Sequence, residues 1–249
     1  MKNYKFVIQY EGTRYQGWQK QVSTENTIQG KIEAILSKMT GTPVEIAGSG
    51  RTDAGVHAFG QVANAHFETK LAPTAIMEYM NRYLPEDIAV ISVEEVDERF
   101  HARLNASEKT YLYRVLCSDV PHIFDRRYVY VMPKELNIQA MRDAAELLKG
   151  THDFKGFSTK KKMKKSTVRT ITDIQIQCEG DEVRFLYKGN GFLYHMVRIL
   201  TGTLLEIGRG ERTIDSIEEV FESRNRELAG ELVPGKGLTL VEVKYEKEK

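Results

Sequence analysis

The chain has 249 residues, 41% of them hydrophobic, and a formal net charge of +1, which is enough apolar material for one large core or two closely packed halves. No apolar run approaches the roughly 20 residues that span a bilayer, and Met1 to Phe6 leads straight into strand-like alternation with no apolar signal core, so the expectation is a cytoplasmic protein. Cys117 and Cys178 are the two cysteines; far apart and each within an apolar stretch, they predict buried free thiols and argue against a disulfide framework or a zinc site.

Tyr4, Phe6, Ile8 and Tyr10 alternate, which predicts a strand with one apolar face. Asn26-Thr27-Ile28-Gln29 has the spacing of a helix cap; Ile28, Ile32, Ile35, Leu36 and Met39 follow at helical intervals and Gly41 is the stop. Strands are predicted around Val44 to Ala47 and from Gln61 to Phe67, then a helix from Pro73 through Ile76, Met80 and Tyr83, then a strand from Ile88 to Val96. This succession is βαββαβ, the ferredoxin-like order.

The rest of the chain runs through the same kinds of element. Thr110 to Cys117 reads as a strand and Asn137 to Leu148 as a helix with Ile138, Met141, Ala145 and Leu148 on one side. Ile174, Ile176 and Cys178 alternate before Glu179-Gly180-Asp181-Glu182, a hairpin turn into Val183 to Tyr187. A long helix from Phe192 to Ile207, a shorter one from Ile214 to Ser223 and a strand from Leu238 to Tyr245 complete the pattern. On the long helix Leu193, Met196, Leu200, Leu204 and Ile207 form a buried stripe. Arg198 lies ~200° from Met196, on a face shared with Tyr194, His195 and Thr201. With no linker rich in Pro, Gly or Ser, the expected organisation is two halves, residues 1–105 and 106–249, that are not mobile beads.

The near-neutral total hides an uneven distribution. Lys155, Lys160, Lys161, Lys162, Lys164, Lys165 and Arg169 fall within sixteen residues that hold no acid, whereas Glu211 to Glu231 is acidic. A basic run of this kind is either a solvated loop or a phosphate-contacting surface whose binding is strongly salt-dependent.

One segment stands out chemically. In Gly48-Ser49-Gly50-Arg51-Thr52-Asp53-Ala54-Gly55-Val56-His57 a single carboxylate sits among glycines beside an arginine. Asp53 is therefore either a turn former or a catalytic group, and the flanking glycines permit close approach of a ligand. Gly50 to His57, followed by Gly60-Gln61-Val62 and His66-Phe67, closely resembles the active-site motif of tRNA pseudouridine synthases of the TruA type. Phe100-His101-Ala102-Arg103 with Lys109-Thr110-Tyr111-Leu112-Tyr113, and Gly191-Phe192-Leu193-Tyr194-His195-Met196-Val197-Arg198, match the same family in the same order. Tyr10-Glu11-Gly12, Tyr15, Gly17-Trp18-Gln19 and Gly235-Lys236-Gly237-Leu238 extend the resemblance to essentially the whole chain.

The resemblance implies an α+β fold in which two ferredoxin-like (βαββαβ) halves join into one antiparallel sheet, with helices on one side and an RNA-binding cleft on the other. It implies isomerisation of uridine to pseudouridine in the anticodon arm of tRNAs, on the 3′ side of the loop and stem, by a homodimer whose tRNA crosses both subunits. That reaction needs no cofactor, metal or nucleoside triphosphate. Asp53 would act under C1′, as a nucleophile or as a base removing the C2′ proton. Arg198 would pair with Asp53 and favour its ionised form, and Tyr111 would stack on the uracil, although a lone strand tyrosine also suits a core. The target base must leave its stack; Arg51 either fills the vacated space or forms an ion pair with Asp53 or phosphate. Thr52, His57, Arg103 and Leu193 join the substrate-binding set, with Lys160, Lys161, Lys162, Lys164, Lys165 and Arg169 on phosphates. His57, His101 and His195 are assigned to hydrogen bonds or phosphate contacts, and Trp18 and Tyr15 to packing. A competing reading is an RNA-binding module without activity; a phosphotransferase lacks the required second acid.

Overall fold

The computed structural model describes residues 1–120, 122–132, 135–162 and 165–246; Lys164 lies outside them. The chain folds into two compact units, Met1–Ser107 together with Thr239–Lys249, and Glu108–Leu238.

The first unit holds β1 (Lys2–Tyr10), α1 (Ile28–Thr40), β2 (Ala47–Gly48), β3 (His57–Phe67), α2 (Pro73–Tyr83) and β4 (Ile88–Val96). β1 lies between β3 and β4 and is antiparallel to both, and β2 pairs antiparallel with β3, which gives the ferredoxin-like order 4-1-3-2. Thr27 caps α1, its hydroxyl accepting the Gly30 N–H, and Gly41 closes it in the left-handed region at φ 73°. Ile28, Ile32 and Leu36 are buried on one face of α1, each contributing about 1.5–3 kcal/mol by burial.

The Val44–Ala47 strand is shorter than its alternation predicts. The Val44 N–H donates to the Ser37 hydroxyl at 2.9 Å and the Ile46 N–H to the buried Glu33 carboxylate at 3.1 Å. With those amides taken by α1 side chains, only Ala47 and Gly48 form β2.

The second unit contains β5 (Ala106–Cys117), which starts at the boundary, then β6 (Tyr130–Met132), α3 (Ile138–Leu148), β7 (Gly150–Asp153), β8 (Val168–Glu179), β9 (Glu182–Gly189), α4 (Met196–Gly208) and α5 (Ser216–Ser223). Its strands run in the order β5-β9-β8-β7, antiparallel throughout, with β6 parallel to β5. The predicted hairpin is present, with Gly180 at φ 57°. β10 (Leu238–Tyr245), the closing strand of the second βαββαβ run, groups from Thr239 onward with the first unit and pairs parallel with β3, Thr239 opposite His57.

Two further expectations require correction. Cys178 is exposed and Cys117 half-buried; Cys178 sits at the hairpin end of β8, where the alternation that buries Ile174 and Ile176 runs out of cover. The long helix begins at Met196, not Phe192, because His195 is left-handed at φ 65° and breaks the helical path. Leu193, Tyr194 and His195 therefore precede α4 and share no helical face with Arg198. Thr201 is fully buried, bonded to the Tyr187 hydroxyl at 2.9 Å. No helix among the described residues is long and apolar enough to cross a membrane.

Candidate active site

Between β2 and β3 the chain makes the loop that carries Asp53, and hydrogen bonds hold that loop at Ser49, Gly50, Thr52 and Val56. Ser49 is fully buried; its N–H donates to the Val62 carbonyl at 2.7 Å and its hydroxyl to the Gln61 side-chain oxygen at 2.7 Å. The Gln61 amide in turn donates to the Gly50 carbonyl at 3.0 Å. Thr52 shares a 2.8 Å hydrogen bond with the Tyr10 hydroxyl, and its carbonyl accepts the Trp18 N–H at 3.0 Å. Beyond Asp53 a turn closes from the Val56 N–H to the Asp53 carbonyl at 3.2 Å, with Gly55 at φ 76°.

The N-terminal motif supplies the bed for this loop. A Cβ on Gly12 would lie 2.0 Å from the Val56 carbonyl oxygen, and one on Gly17 would lie 2.6 Å from that of Thr52; both positions need glycine because two backbones touch. The Gly17 and Trp18 carbonyls also accept the first amides of α1, from Ile28 at 3.2 Å and Gln29 at 2.9 Å. Trp18 and Tyr15 are buried, as packing residues should be. Burial pushes the Tyr10 phenol well above its ordinary range, so it remains a neutral hydrogen-bonding group.

The loop thus presents a half-buried Asp53 and an exposed Arg51 between fixed neighbours. His57 is 3% exposed, and its Nδ1 accepts the Gly12 N–H at 3.0 Å; in this structure it fastens the Gly12 turn to β3. Arg103 is exposed in the turn between β4 and β5, where its N–H donates to His101 Nδ1 at 3.1 Å.

The second unit holds the other predicted residues. Tyr111 on β5 is 8% exposed, stands opposite Tyr187 on β9 and meets the Phe192 ring edge-on at 5.2 Å. Tyr113 is fully buried and donates to the Pro234 carbonyl at 2.8 Å; its ring lies 2.7 Å from where a Cβ on Gly237 would be. Arg198, half-buried in the first turns of α4, donates through Nε to the Val233 carbonyl at 2.7 Å, which sets the direction of its guanidinium. Leu193 is half-buried just before α4, its N–H directed at Met196 Sδ at 3.4 Å.

Lys160, Lys161, Lys162 and Lys165 are exposed. Arg169, at the start of β8, is half-buried; Nη1 donates to the Ser166 and Val168 carbonyls, and Nε lies 3.6 Å from where a Cβ on Gly191 would be. Sequence reasoning missed Ser158 and Thr159. The Ser158 hydroxyl donates to the Tyr194 carbonyl at 2.9 Å and Thr159 bonds His195 Nδ1 at 2.8 Å, so the two residues that lead into the lysine run are tied to the turn that precedes α4. Thirty-six residues separate the partners, and no local pattern signals the link.

The family model for tRNA pseudouridine synthases matches residues 6–105 and 144–246. A tRNA pseudouridine synthase A of Bacillus sp. (strain KSM-64) is 49% identical over 230 residues, covering 92% of this chain and 94% of the relative. tRNA pseudouridine synthase A 2 of Bacillus cereus (strain ZK / E33L) is 44% identical over 245 residues, 98% of this chain and 100% of the relative. tRNA pseudouridine synthase A 1 of Clostridium tetani (strain Massachusetts / E88) is 45% identical over the same length and with the same coverage.

Proposed function

Because the chain belongs to the tRNA pseudouridine synthase family, we propose that it isomerises uridine to pseudouridine in the anticodon arm of tRNAs, on the 3′ side of the loop and stem, with Asp53 as the essential group. The observation that carries this reading is the clamped loop, in which Gly50, Thr52 and Val56 are held by hydrogen bonds while Asp53 itself is half-buried. Fixed geometry of this kind is what a reacting carboxylate needs, because small misplacements are costly in rate.

The isomerisation breaks N1–C1′ and forms C5–C1′, and the base gains a proton at N1 and loses one from C5. Asp53 acts either by attacking C1′ or by removing the C2′ proton, and a primary isotope effect with uridine deuterated at C2′ belongs to the second route alone. In this reading Arg198 pairs with Asp53, and Tyr111 stacks on the uracil and helps remove the C5 proton after reattachment. Arg51 fills the space of the flipped nucleotide. Thr52, His57, Arg103 and Leu193 complete the substrate contacts. Lys160, Lys161, Lys162, Lys164, Lys165 and Arg169 neutralise backbone phosphates. The half 1–105 supplies the Asp53 loop and the half 106–249 the tyrosine and arginine motifs. The family resemblance further supports a cytoplasmic homodimer.

Tritium release from tRNA transcripts labelled at uridine C5 tests the reading. The native protein should release tritium and form pseudouridine in the anticodon arm, whereas Asp53→Asn should be slower by about a thousandfold or more with an unchanged melting temperature. Binding without release by the native protein would leave an RNA-binding module in place of an enzyme.

A further inference from the structure

The turn before α4 has a feature that helix formation does not require. His195 is one of two non-glycine residues with positive φ among those described. The other, Arg224, closes the C-terminus of α5 at φ 53°, where a left-handed residue satisfies the last carbonyls. His195 instead precedes a helix, and its side chain makes no cap bond to α4. Non-glycine residues adopt this backbone at a cost and concentrate at functional sites when they do. Here the conformation brings the imidazole flat against the Tyr194 ring, with centroids 3.7 Å apart and an interplanar angle of 26°.

Tyr194 remains 53% exposed although His195 covers one face of its ring. The pair is braced from below: Thr159 bonds His195 Nδ1 and Ser158 bonds the Tyr194 carbonyl. The braces are also the root of the basic loop, since Lys160 follows Thr159 directly and Lys161, Lys162 and Lys165 come next, all exposed. An exposed, pre-oriented aromatic face whose brace leads in sequence into exposed cations has the two parts of a single-strand RNA subsite, a stacking surface and phosphate contacts.

We propose that the Tyr194–His195 stack is a platform for one unpaired nucleobase of the RNA substrate, with Lys160, Lys161, Lys162 and Lys165 holding the neighbouring phosphates. The platform rests on the tRNA-directed reading above and adds to it a place where an unpaired base outside the reacting position is gripped. Stacking on a π-face is indifferent to base identity, so the subsite selects for an unstacked nucleotide and not for a sequence.

Equilibrium binding of an unmodified tRNA transcript over a range of salt concentrations tests the platform, with pseudouridine formation by the native protein measured on the same transcript. Tyr194→Ala should bind about tenfold more weakly with an unchanged salt slope, and Tyr194→Phe should bind like the native protein. His195→Asn, which tolerates the left-handed backbone but removes the stacked ring, should also weaken binding. Lys161→Ala should instead lower the salt slope by roughly 0.7–0.9. A fully paired RNA duplex should bind native protein and Tyr194→Ala alike. Equal affinity of Tyr194→Ala and native protein for the transcript overturns the platform, as does a Tyr194→Phe defect as large as that of Tyr194→Ala, or an equal loss on the duplex. If the native protein binds the transcript through Tyr194 but forms no pseudouridine, the catalytic reading falls and the platform stands.

Discussion

The Asp53 loop and the lysine-bearing loop are built on opposite principles. The first is fixed at Ser49, Gly50, Thr52 and Val56 by hydrogen bonds that involve Gln61, Tyr10 and Trp18, and by glycine contacts that leave no room for a methyl group. The second is tied at Ser158 and Thr159 and then offers exposed charge. Under the proposed function, chemistry at one carbon atom needs the Asp53 carboxylate held to within a fraction of an ångström. A polyanion is held by field strength, which tolerates loose geometry. The difference implies that the first loop is sensitive to small changes in shape and the second to changes in charge.

The sharpest way to break this comparison is Gly12→Ala. The new methyl group would meet the Val56 carbonyl oxygen, a backbone atom that cannot swing away, so urea denaturation should show a loss of about 2–3 kcal/mol together with reduced turnover. Gly55→Ala serves as the comparison within the same loop. It meets nothing within 4 Å but keeps φ at 76°, and it should cost roughly 1 kcal/mol. Equal effects of the two substitutions would mean that contact with the Gly12 turn does not hold the loop.

Tyr10→Phe removes one hydroxyl from the clamp and leaves the ring packed beside Trp18. The buried Thr52 hydroxyl loses its partner, at a cost of about 1–2 kcal/mol. If the bond positions Asp53, kcat falls while KM stays near its native value; a proportional rise in KM alone would assign Tyr10 to binding.

The Asp53 motif was legible from its residues, and its support was not. Thr27 and Gly41 bound α1 as their cap chemistry predicts, and β4 runs from Ile88 to Val96 as read from alternation. Local pattern failed where a distant group took over a backbone requirement. Val44 and Ile46 look like a strand, yet Ser37 and Glu33 accept their amides. Leu193 and Met196 continue a helical stripe, yet the left-handed His195 stands between them and postpones the helix. The contact of Gly12 with Val56 and the tie of Thr159 to His195 are likewise long-range; composition and spacing carry no trace of either.

Charges within the second unit make its stability respond to acid. Glu182 accepts hydrogen bonds from Arg114 Nε and Nη2, both at 2.8 Å, and from Arg184 Nε at 2.7 Å. The Arg114 bond is the main cause that holds its carboxyl down at about 2, below the ordinary 4.5. On acidification the unfolded chain therefore takes up this proton first. The stabilisation is intact above about 4.5 and is lost as the pH falls toward 2. Glu182→Gln should flatten the acid limb of a stability-against-pH curve in that window and leave the slope near neutrality unchanged.

Replacing Lys160, Lys161, Lys162 and Lys165 together by alanine should have the smallest effect on the protein and a large one on its RNA complex. Single exposed substitutions change stability by no more than about 0.5 kcal/mol each, and removing four like charges also relieves mutual repulsion, so the melting temperature should hold or rise slightly. The same variant should lower the salt slope of tRNA binding by about 3, from roughly 0.7–0.9 per phosphate contact. A melting temperature that falls while the slope stays fixed would place these side chains in the protein's own charge network and remove the distinction between the two loops. An unchanged melting temperature with a reduced slope separates them cleanly, because the clamped loop answers to single hydroxyl and methyl groups while this one answers to the number of its charges.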